Sequence, residues 1–455
     1  MSILSGPSTA LPARPQTSHE TNLSLPVLAV LGTLALAPVP AAQQAADRFW
    51  PQWRGPHSTG VSRNATPPLE WNEKKNIRWK IEIPGRGSAT PVVWGDRVFV
   101  LSAVPVGVSG DGAHAPLGRA PVTHKYTVMA LDRKTGKVIW ERTAKEETPH
   151  EASHPENGTW ASASAATDGE HLIASFESRG YFAYDMNGKL IWQKDLGDKR
   201  MRSTFGEGST PALHGNHLVI VWDHQGQSFI VALDKRTGAE LWRRDRKEID
   251  TWATPLVVTV NGRAQVVTGA MNQVVSYDLE TGDVVWFTGG LTMNPIPTPV
   301  AANGMVFLTA GFRGNSLKAI HLNNAKGDIT GTPAIAWTLN RDTPYVPSPV
   351  LYDEILYVLK SNNGILSAFD AKSGTPHYQA QRINALQEVF ASPVGAVGRI
   401  YIPGRDGATV VLKHGPTLEV LAVNELDDGF DASPALVDGE MYLRGYKNLY
   451  CIAEK

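Results

Sequence analysis

The sequence predicts an all-β protein: an eight-bladed β-propeller of four-stranded antiparallel blades. Three observations predict this fold. A phrase of the form Ala-Leu-Asp-x-x-Thr-Gly-x-x-x-Trp recurs at residues 130–140, 232–242 and, in a variant form, 277–286. Short runs of alternating apolar residues lie between its copies, and no long stretch has helical periodicity. A unit that returns after roughly forty to fifty residues has the length of a propeller blade, so the chain is an array of repeats.

The unit at residues 254–288 shows how each strand is predicted. Its first run is rich in β-branched residues, which pack well on a pleated surface. Asn261-Gly262 follows as a hairpin signal, because both central positions of such a turn need positive φ. The last strand ends on Trp286, whose indole is large enough to wedge against a neighbouring sheet. We place the four strands at residues 255–260, 264–268, 274–277 and 284–287.

The same pattern predicts the rest of the ring. Complete units lie at residues 88–142, 161–195, 209–244, 254–288, 297–339, 347–383 and 391–424. The chain then ends on three strands without a fourth. Residues 77–83, which contain Trp79, have the form of a fourth strand and precede the first unit. We therefore expect this N-terminal strand to join the three C-terminal ones as an eighth blade, which closes the ring over residues 77–455 and leaves no open edge.

The segment before the ring divides into two parts. Residues 1–42 resemble a secretory signal peptide with a long leader, since residues 23–42 are almost wholly apolar and small residues follow. An uncleaved membrane anchor is the alternative, but Pro26, Pro38 and Pro40 interrupt a stretch barely long enough to span a bilayer. Residues 43–76 are predicted to be an N-terminal extension that packs on the ring.

Composition limits the partners and the compartment. The formal net charge is −1 and basic runs are absent, which excludes the electrostatic footprint of a nucleic-acid-binding protein. Cys451 is the single cysteine, so the chain has no internal disulfide. No cysteine follows the apolar segment as a site for lipidation. We expect a periplasmic or secreted protein, a monomer, without stable membrane insertion.

The repeated phrase resembles that of the pyrroloquinoline quinone (PQQ) dehydrogenases and of PQQ-like propellers that lack the cofactor, including the scaffold lipoprotein of the outer-membrane assembly machine. Residues 49–56, with the sequence FWPQWRGP, are similar to a segment of exported bacterial proteins called PQQ-binding-like propeller repeat proteins. The resemblance extends from about Trp50 to the C-terminus. It implies the propeller fold strongly and the chemistry only weakly, because one fold hosts many functions.

The chain departs from the quinoprotein enzymes at their functional residues. Quinoprotein alcohol dehydrogenases resemble one another in a pair of adjacent cysteines beside the quinone, and this chain has no second cysteine. No calcium-ligand or catalytic-aspartate motif of theirs can be carried over, so catalytic residues are unknown. We expect an exported scaffold or binding protein of the bacterial envelope, without bound PQQ and not an enzyme. Two alternatives stay open: a PQQ- and calcium-dependent oxidoreductase acting on an alcohol or sugar, and a carbohydrate-binding module.

Loop lengths indicate which face carries the function. In a four-stranded meander, the second-to-third turns lie on the same face as the loops between blades. Two long insertions, residues 104–125 and 143–160, emerge on that face, and long loops on a rigid scaffold are common binding sites. The partner expected there is an envelope protein, an extended peptide or a sugar-like small molecule.

Charged and aromatic residues on that face are the candidate ligand-binding set. Those from second-to-third turns are Arg179, Arg313 and Arg405, and those just before first strands are Arg86, Glu207, Trp252, Asn294 and Asp431. Around the mouth of the ring they could form a shallow funnel for an anionic or sugar-like ligand, since guanidinium groups match carboxylates. The alternative is that about half of them pair across blades or with loop backbone.

A metal site is considered only for His150 and His154. Their i, i+4 spacing would align two imidazoles on a helix, but Pro149 and Pro155 flank the pair and indicate a loop. In a loop this spacing carries no geometric meaning. We therefore expect ordinary loop histidines and no metal.

Overall fold

The computed structural model describes residues 46–108 and 122–454. Within them, consecutive strands form eight antiparallel sheets of four blade strands each, which confirms the predicted eight-bladed propeller. The first strands of neighbouring blades lie in contact around the ring axis, as innermost strands must. Among these residues no helix is long and apolar enough to cross a membrane. Single 3₁₀ turns lie at Glu177–Arg179, Arg202–Thr204 and Leu322–Asn324.

The first two strands of the described part belong to later blades: β1 at Val61–Ser62 and β2 at Ile77–Glu82. The first four blades follow in order. Their strands are β3 Val92–Trp94, β4 Arg97–Pro105, β5 His124–Asp132 and β6 Val138–Glu147; β7 Ala166–Thr167, β8 His171–Ser175, β9 Tyr181–Asp185 and β10 Leu190–Lys194; β11 Ala212–His214, β12 His217–Trp222, β13 Ser228–Asp234 and β14 Glu240–Arg246; β15 Leu256–Val260, β16 Arg263–Gly269, β17 Gln273–Asp278 and β18 Val284–Gly289.

The last four blades complete the ring. Their strands are β19 Val300–Ala302, β20 Met305–Ala310, β21 Ser316–His321 and β23 Ile335–Leu339, with β22 Gly327–Asp328 lying between the last two; β24 Val350–Tyr352, β25 Ile355–Leu359, β26 Ile365–Asp370 and β27 Pro376–Arg382; β28 Val394–Ala396, β29 Arg399–Pro403, β30 Ala408–Lys413 and β31 Val420–Glu425; β32 Ala435–Val437, β33 Glu440–Arg444 and β34 Asn448–Ala453.

The ring closes as the sequence predicts. Strand β2 pairs antiparallel with β34, with Trp79 opposite Cys451 and Ile81 opposite Leu449. An ion pair also joins the first blade to the eighth: Arg133 of the first contacts Glu440 of the eighth at 2.6 Å. Closure of the ring therefore depends on the pairing of β2 with β34 and on this ion pair, and both join an early part of the described chain to a late one.

Tryptophans of the fourth strands join each blade to the next. In five blades the indole lies so close to the glycine of the next Asp-x-x-x-Gly turn, shortened to Asp-x-x-Gly at residues 185–188, that a Cβ there would come within 2.6–2.8 Å of the ring. The indole N–H donates to a backbone carbonyl of the same turn at 2.7–3.0 Å. The pairs are Trp79 with Gly136, Trp140 with Gly188, Trp192 with Gly238, Trp242 with Gly282, and Trp337 with Gly374. The turn needs glycine because no side chain fits beneath the indole.

A second set of contacts joins the blades near the axis. Two residues before each first strand stands a serine or threonine, and in six of the junctions its hydroxyl accepts the backbone N–H of the equivalent residue in the preceding blade, at 2.8–3.2 Å. We call this set the hydroxyl belt. Its members are Thr90, Ser164, Thr210, Thr254, Thr298, Ser348, Ser392 and Ser433.

The two predicted insertions are shorter than expected. Strands β4 and β5 keep pairing as far as Pro105 opposite His124, so only residues 106–123 remain between them, and 109–121 fall outside the described part. Strand β6 likewise continues to Glu147. The strands extend because their inward side chains still find a core: Tyr126 is buried and packs edge-on against Phe176 of the next blade.

One insertion was missed by the sequence interpretation. Residues 322–334 lie between the third and fourth strands of the fifth blade, and their strand β22 pairs in parallel with β18, the outer strand of the fourth blade. Ile329 from this insertion joins the core cluster that contains Trp286. The insertion thus covers an outer edge that would otherwise lack a partner.

Two glycines with the same backbone conformation test the indole contact. Gly238 (φ +71) lies under Trp192, whereas a Cβ added at Gly262 (φ +78) would meet no heavy atom within 4 Å. We expect Gly262→Ala to cost about 1 kcal/mol through its positive φ. Gly238→Ala should cost roughly 1–3 kcal/mol more, because it also displaces the indole. Urea unfolding of both variants measures the difference, and equal losses would contradict the role assigned to the indole contact.

Candidate functional site

The N-terminal segment, residues 46–76, crosses the ring near its axis. Trp50 exchanges backbone hydrogen bonds with Val93 of the first blade. Strand β1 pairs in parallel with β28, the innermost strand of the seventh blade. Between these two attachments, the Trp53 indole donates to Thr298 Oγ1 of the fifth blade at 2.8 Å. The segment therefore holds blades from different parts of the ring.

Arg54 anchors the middle of this segment. Its side chain is 1% exposed, and its Nη atoms donate to the carbonyls of Pro349 and Pro393 at 2.7 and 2.6 Å. Burial lowers the pKa of the guanidinium to about 9. Gly60 approaches so closely that a Cβ there would lie 2.1 Å from Arg54 Nη2, so the segment has to turn on glycine at this position.

Trp53 separates two cavities along the axis. The axial cavity, about 480 Å³, lies on the face that carries the loops between blades. The second cavity, about 720 Å³, lies on the opposite face beside first-hairpin residues such as Asn303 and Gly304. Trp53, Thr254 and Thr298 line both. Trp53 thus forms the floor of the axial cavity.

The axial cavity is aromatic and acidic. Six aromatic rings line it, together with hydroxyls of the belt and of neighbouring serines, and the carboxylates of Glu207 and Asp431. Among the described residues, its lining includes no lysine or arginine. The aromatic residues are Trp53, Phe205, Trp252, Phe312, Tyr345 and Phe390.

Three of the eight candidate residues line the axial cavity: Glu207, Trp252 and Asp431. Glu207 Oε2 accepts the backbone N–H of Ser178 at 2.9 Å. The Trp252 indole donates to the carbonyl of Gly206 at 2.8 Å, which fixes the ring beside the Glu207 turn. Glu207 and Trp252 are therefore neighbours in the cavity lining.

Arg405 is held back from the cavity by its own partners. Its guanidinium binds Asp431 through two hydrogen bonds of 2.8 and 3.1 Å, and it lies 4.1 Å from the centroid of the Phe390 ring. It also donates to Asn157 at 3.0 Å. Burial raises the pKa of Asp431, and the neighbouring Arg405 opposes this shift. The charge of Asp431 is thus matched within the wall.

The other four candidates are placed elsewhere. Arg86 is buried, donates to the Glu156 carbonyl at 3.2 Å and lies 5.9 Å from the Tyr446 ring centroid. Arg179 is 2% exposed and forms ion pairs with carboxylates of Glu147 and Asp198 at 3.2 and 3.3 Å. Both guanidinium groups are therefore bound by neighbouring loops and strands.

Asn294 and Arg313 complete the set, and both have positive φ, 52° and 49°. Asn294 is buried, 2% exposed. Arg313 is exposed, with its guanidinium 5.4 Å from the centroid of Phe312. The aromatic neighbour of Arg313, rather than the arginine, lines the axial cavity.

His150 and His154 do not converge on a common site. His150 Nε2 lies 2.5 Å from the carbonyl of Lys199, and its Nδ1 faces Asp198. His154 Nδ1 accepts two backbone N–H groups, from Glu156 and Asn157, so that atom is already committed. In the described part of the chain, the group whose ligand atoms lie close together is Asp168, Glu170 and His171, where Asp168 instead caps a turn and binds Lys235 at 2.5 Å.

A buried ion pair lies behind the Glu207 wall. Lys199 Nζ contacts Glu177 Oε1 at 2.7 Å, and both side chains are at most 5% exposed. Burial raises the pKa of Glu177, against the opposing effect of Lys199. The Lys199 ammonium also lies 4.7 Å from the Trp222 ring centroid. This lysine is fully engaged inside the wall.

Sequence reasoning named Trp252 but missed the other five aromatic rings of the lining, although a signal for them exists. Most rings of the lining stand within five residues before the serine or threonine of the hydroxyl belt: Phe205, Trp252, Tyr345 and Phe390. The belt itself is marked by a Ser/Thr-Pro pair in seven of the eight blades. A search for aromatic residues just ahead of that pair would have found the lining.

The fold and the repeat define this protein as an eight-bladed propeller of the PQQ-like class, which confirms the resemblance seen in the sequence. The chain belongs to the family whose model is described as outer membrane protein assembly factor BamB, which matches residues 69–231 and 226–455.

Individual relatives are distant. The outer membrane protein assembly factor BamB of Francisella salina is 31% identical over 124 residues, which are 27% of this chain and 21% of that protein. The BamB of Yersinia pestis is 25% identical over 217 residues, 44% of this chain and 51% of that protein. The matched part of the chain therefore spans between a fifth and about half the length of these curated relatives.

Solved structures show the same fold at low identity. The crystal structure of BamB from Moraxella catarrhalis has a TM-score of 0.56 and 13% identity, and covers 82% of this chain and 95% of that chain. A quinohemoprotein alcohol dehydrogenase from Comamonas testosteroni has a TM-score of 0.63 and 12% identity, and covers 91% and 84%. Both a BamB and a dehydrogenase therefore share this architecture, and the likeness bears on the fold alone.

The role of Trp53 as cavity floor can be tested by two substitutions. Trp53→Phe keeps a ring and loses the hydrogen bond to Thr298, so it should cost about 1 kcal/mol. Trp53→Ala also empties the space between the two cavities and should cost roughly 3 kcal/mol. Thermal unfolding measures both, and hydrogen exchange across residues 46–62 should rise in the alanine variant. Unchanged exchange there would mean that other contacts, such as those of Arg54, hold the segment alone.

Proposed function

We propose that this protein is an exported scaffold of the bacterial cell envelope, without bound PQQ. It binds an extended segment of another envelope protein on the face that carries the loops between blades, which we call the loop-rich face. The observation that carries the proposal is the axial cavity: it lies on that face, Trp53 closes its floor, and aromatic rings line it. Aromatic side chains supply large contact areas and are enriched where proteins bind one another.

Family membership supports a binding role. The family is described by a protein of outer-membrane assembly, and a propeller of this kind offers a rigid ring with loops gathered on one face. We infer that the chain acts as a monomer in this role, because the closed ring leaves no blade incomplete.

Export is part of the same proposal. The apolar stretch at residues 23–42 lies outside the described residues and is proposed to direct secretion. Cys451, the single cysteine, is buried within β34, where a lipid could not be attached. The mature protein is therefore proposed to be periplasmic or secreted and not tethered to lipid through cysteine.

The lining of the axial cavity does not fit PQQ. This cofactor carries several carboxylates, and a site for it needs cationic groups. The charged residues of the lining are Glu207 and Asp431, and the nearby Arg405 is already bound to Asp431. The two carboxylates are engaged with a backbone N–H and an arginine, so they do not form a ready calcium site either. An oxidoreductase is thus not the function that these residues favour.

Carbohydrate binding is the second candidate. Aromatic rings on the face that carries the loops between blades favour it, and the axial cavity contains six of them beside a set of hydroxyls. Apolar ring faces of sugars stack on such side chains. This candidate and the protein partner would use the same cavity.

Site-specific photo-crosslinking in the native host tests the protein partner. A photoreactive benzoylphenylalanine is placed at Phe312 in the axial cavity or, as the matched control, at exposed Asn303 on the opposite face. We expect one discrete envelope protein to be linked from position 312 and not from 303. The same product from both positions, or none from 312, would contradict partner binding in the cavity.

A titration with PQQ in the presence of calcium tests the cofactor. For the purified chain without residues 1–42 we expect no stoichiometric binding, followed by quinone absorbance, and no dye-coupled oxidation of alcohols or sugars, because the cavity has the wrong charge for the cofactor. Tight binding with turnover would establish an enzyme and overturn the scaffold proposal. Binding without turnover would overturn the statement that the lining does not fit PQQ.

A further inference from the structure

The charges in the wall of the axial cavity point to a particular kind of ligand. We propose that the axial cavity is a cation-binding site, which takes an alkylammonium or guanidinium group of the kind carried by a lysine or arginine side chain in an extended segment. This inference rests on the proposed function, since it names the chemistry by which the partner is recognised at the same cavity.

The sign of the charge is the first step. The carboxylates of Glu207 and Asp431 line the cavity together with the imidazole of His154, whose Nδ1 accepts two backbone N–H groups. Arg405 matches Asp431 through its two hydrogen bonds. Behind the wall, Lys199 is engaged by Glu177 at 2.7 Å. Glu207 accepts a backbone N–H through one oxygen, which does not neutralise its charge. The lining therefore presents a negative charge to a ligand.

The position of an aromatic ring beside that charge is the second step. Glu207 lies between Gly206, whose carbonyl accepts the Trp252 N–H, and Gly208, where a Cβ would lie 3.6 Å from the Trp252 ring. Glu207 and the indole of Trp252 are thus neighbours, and both line the cavity. A cation near an aromatic face gains roughly 0.5–2 kcal/mol, and tryptophan is the best ring for this. A neutral sugar can donate hydroxyl hydrogen bonds to the carboxylate, but it gains neither attraction between opposite charges nor the cation–aromatic contact.

The protein itself shows that these rings attract guanidinium groups. Arg405 lies 4.1 Å from the centroid of Phe390, and Arg313 lies 5.4 Å from that of Phe312. Both rings belong to the lining. The same kind of contact is available to a cation that enters from outside.

The size and the hydroxyls of the cavity favour a peptide as the source. A volume of about 480 Å³ is far larger than a single ammonium head and is typical of sites that enclose a larger ligand. Thr210, Ser348 and Ser392 of the hydroxyl belt accept backbone N–H groups, so each O–H stays available as a donor. Such donors suit the carbonyls of an extended backbone.

Matched peptides test the inference on the full chain. Three capped pentapeptides differ only at the centre, which is lysine, its uncharged counterpart norleucine, or glutamate; n-butylamine serves as the free amine. By calorimetry we expect the lysine peptide to bind at least about tenfold more tightly than the other two at low salt, and this preference to fall as salt screens the charge.

Variants of the cavity test which residues cause the preference for the lysine peptide. Glu207→Gln keeps an acceptor for the Ser178 N–H and should remove most of the preference for lysine, whereas Glu156→Gln, an exposed carboxylate on the same face outside the lining, should keep it. Trp252→Leu should weaken the lysine peptide roughly fivefold, and Trp252→Phe should weaken it less. A preference that survives in Glu207→Gln would overturn the inference.

The outcomes separate this inference from the proposed function. Peptides that bind equally well whatever their central charge would overturn the cation site and leave a peptide-binding scaffold. Binding of n-butylamine that depends on Glu207, without binding of any peptide, would support the cation site and contradict the peptide partner. Binding of the glutamate peptide above the others would overturn the cation site, and binding of none of the four probes would overturn both.

Discussion

The structure depends on the contact between an indole in one blade and a glycine in the next. A blade on its own is a small sheet with two open faces, and it becomes stable only when its neighbours cover them. The indole supplies the apolar area, the glycine removes the side chain that would hold it off, and the N–H bond to the turn carbonyl fixes the angle. The same three features repeated around the chain produce a ring, because each junction turns the next blade by a similar amount.

The contacts near the axis then position the site. The hydroxyl belt fixes where each first strand begins. The residues just before the belt therefore lie at a similar level along the ring axis in each blade. Aromatic residues at those positions therefore converge on one cavity from blades that are far apart in sequence. Trp53 also binds the hydroxyl belt: its indole N–H donates to the Thr298 hydroxyl, so the N-terminal segment forms the floor of the axial cavity.

The ring was predictable from the sequence and most of the site was not. The repeat length, the tryptophan phrase and the lone strand at residues 77–83 are local patterns, and they yielded the blades and the closure. The candidate arginines were chosen for their place on one face, but charge says nothing about which partner a guanidinium finds. Arg405 is held by Asp431 from the next blade, and Arg179 by two carboxylates. Ion pairs between residues that are not neighbours in the sequence therefore determine the sign of the charge in the cavity.

Because β2 pairs with β34, the ring can close only after β34 has been synthesised. Strand β2 is synthesised before any complete blade, yet its partner β34 follows every other strand of the ring in the sequence. A chain still emerging from the ribosome, or still crossing a membrane, therefore carries an unpaired first strand and an open ring. Contacts of high sequence separation form late, after their loop-closure cost can be met. The closed axial cavity thus forms only after β34 has been made, and chains that stop before β34 are unable to compete for its ligand.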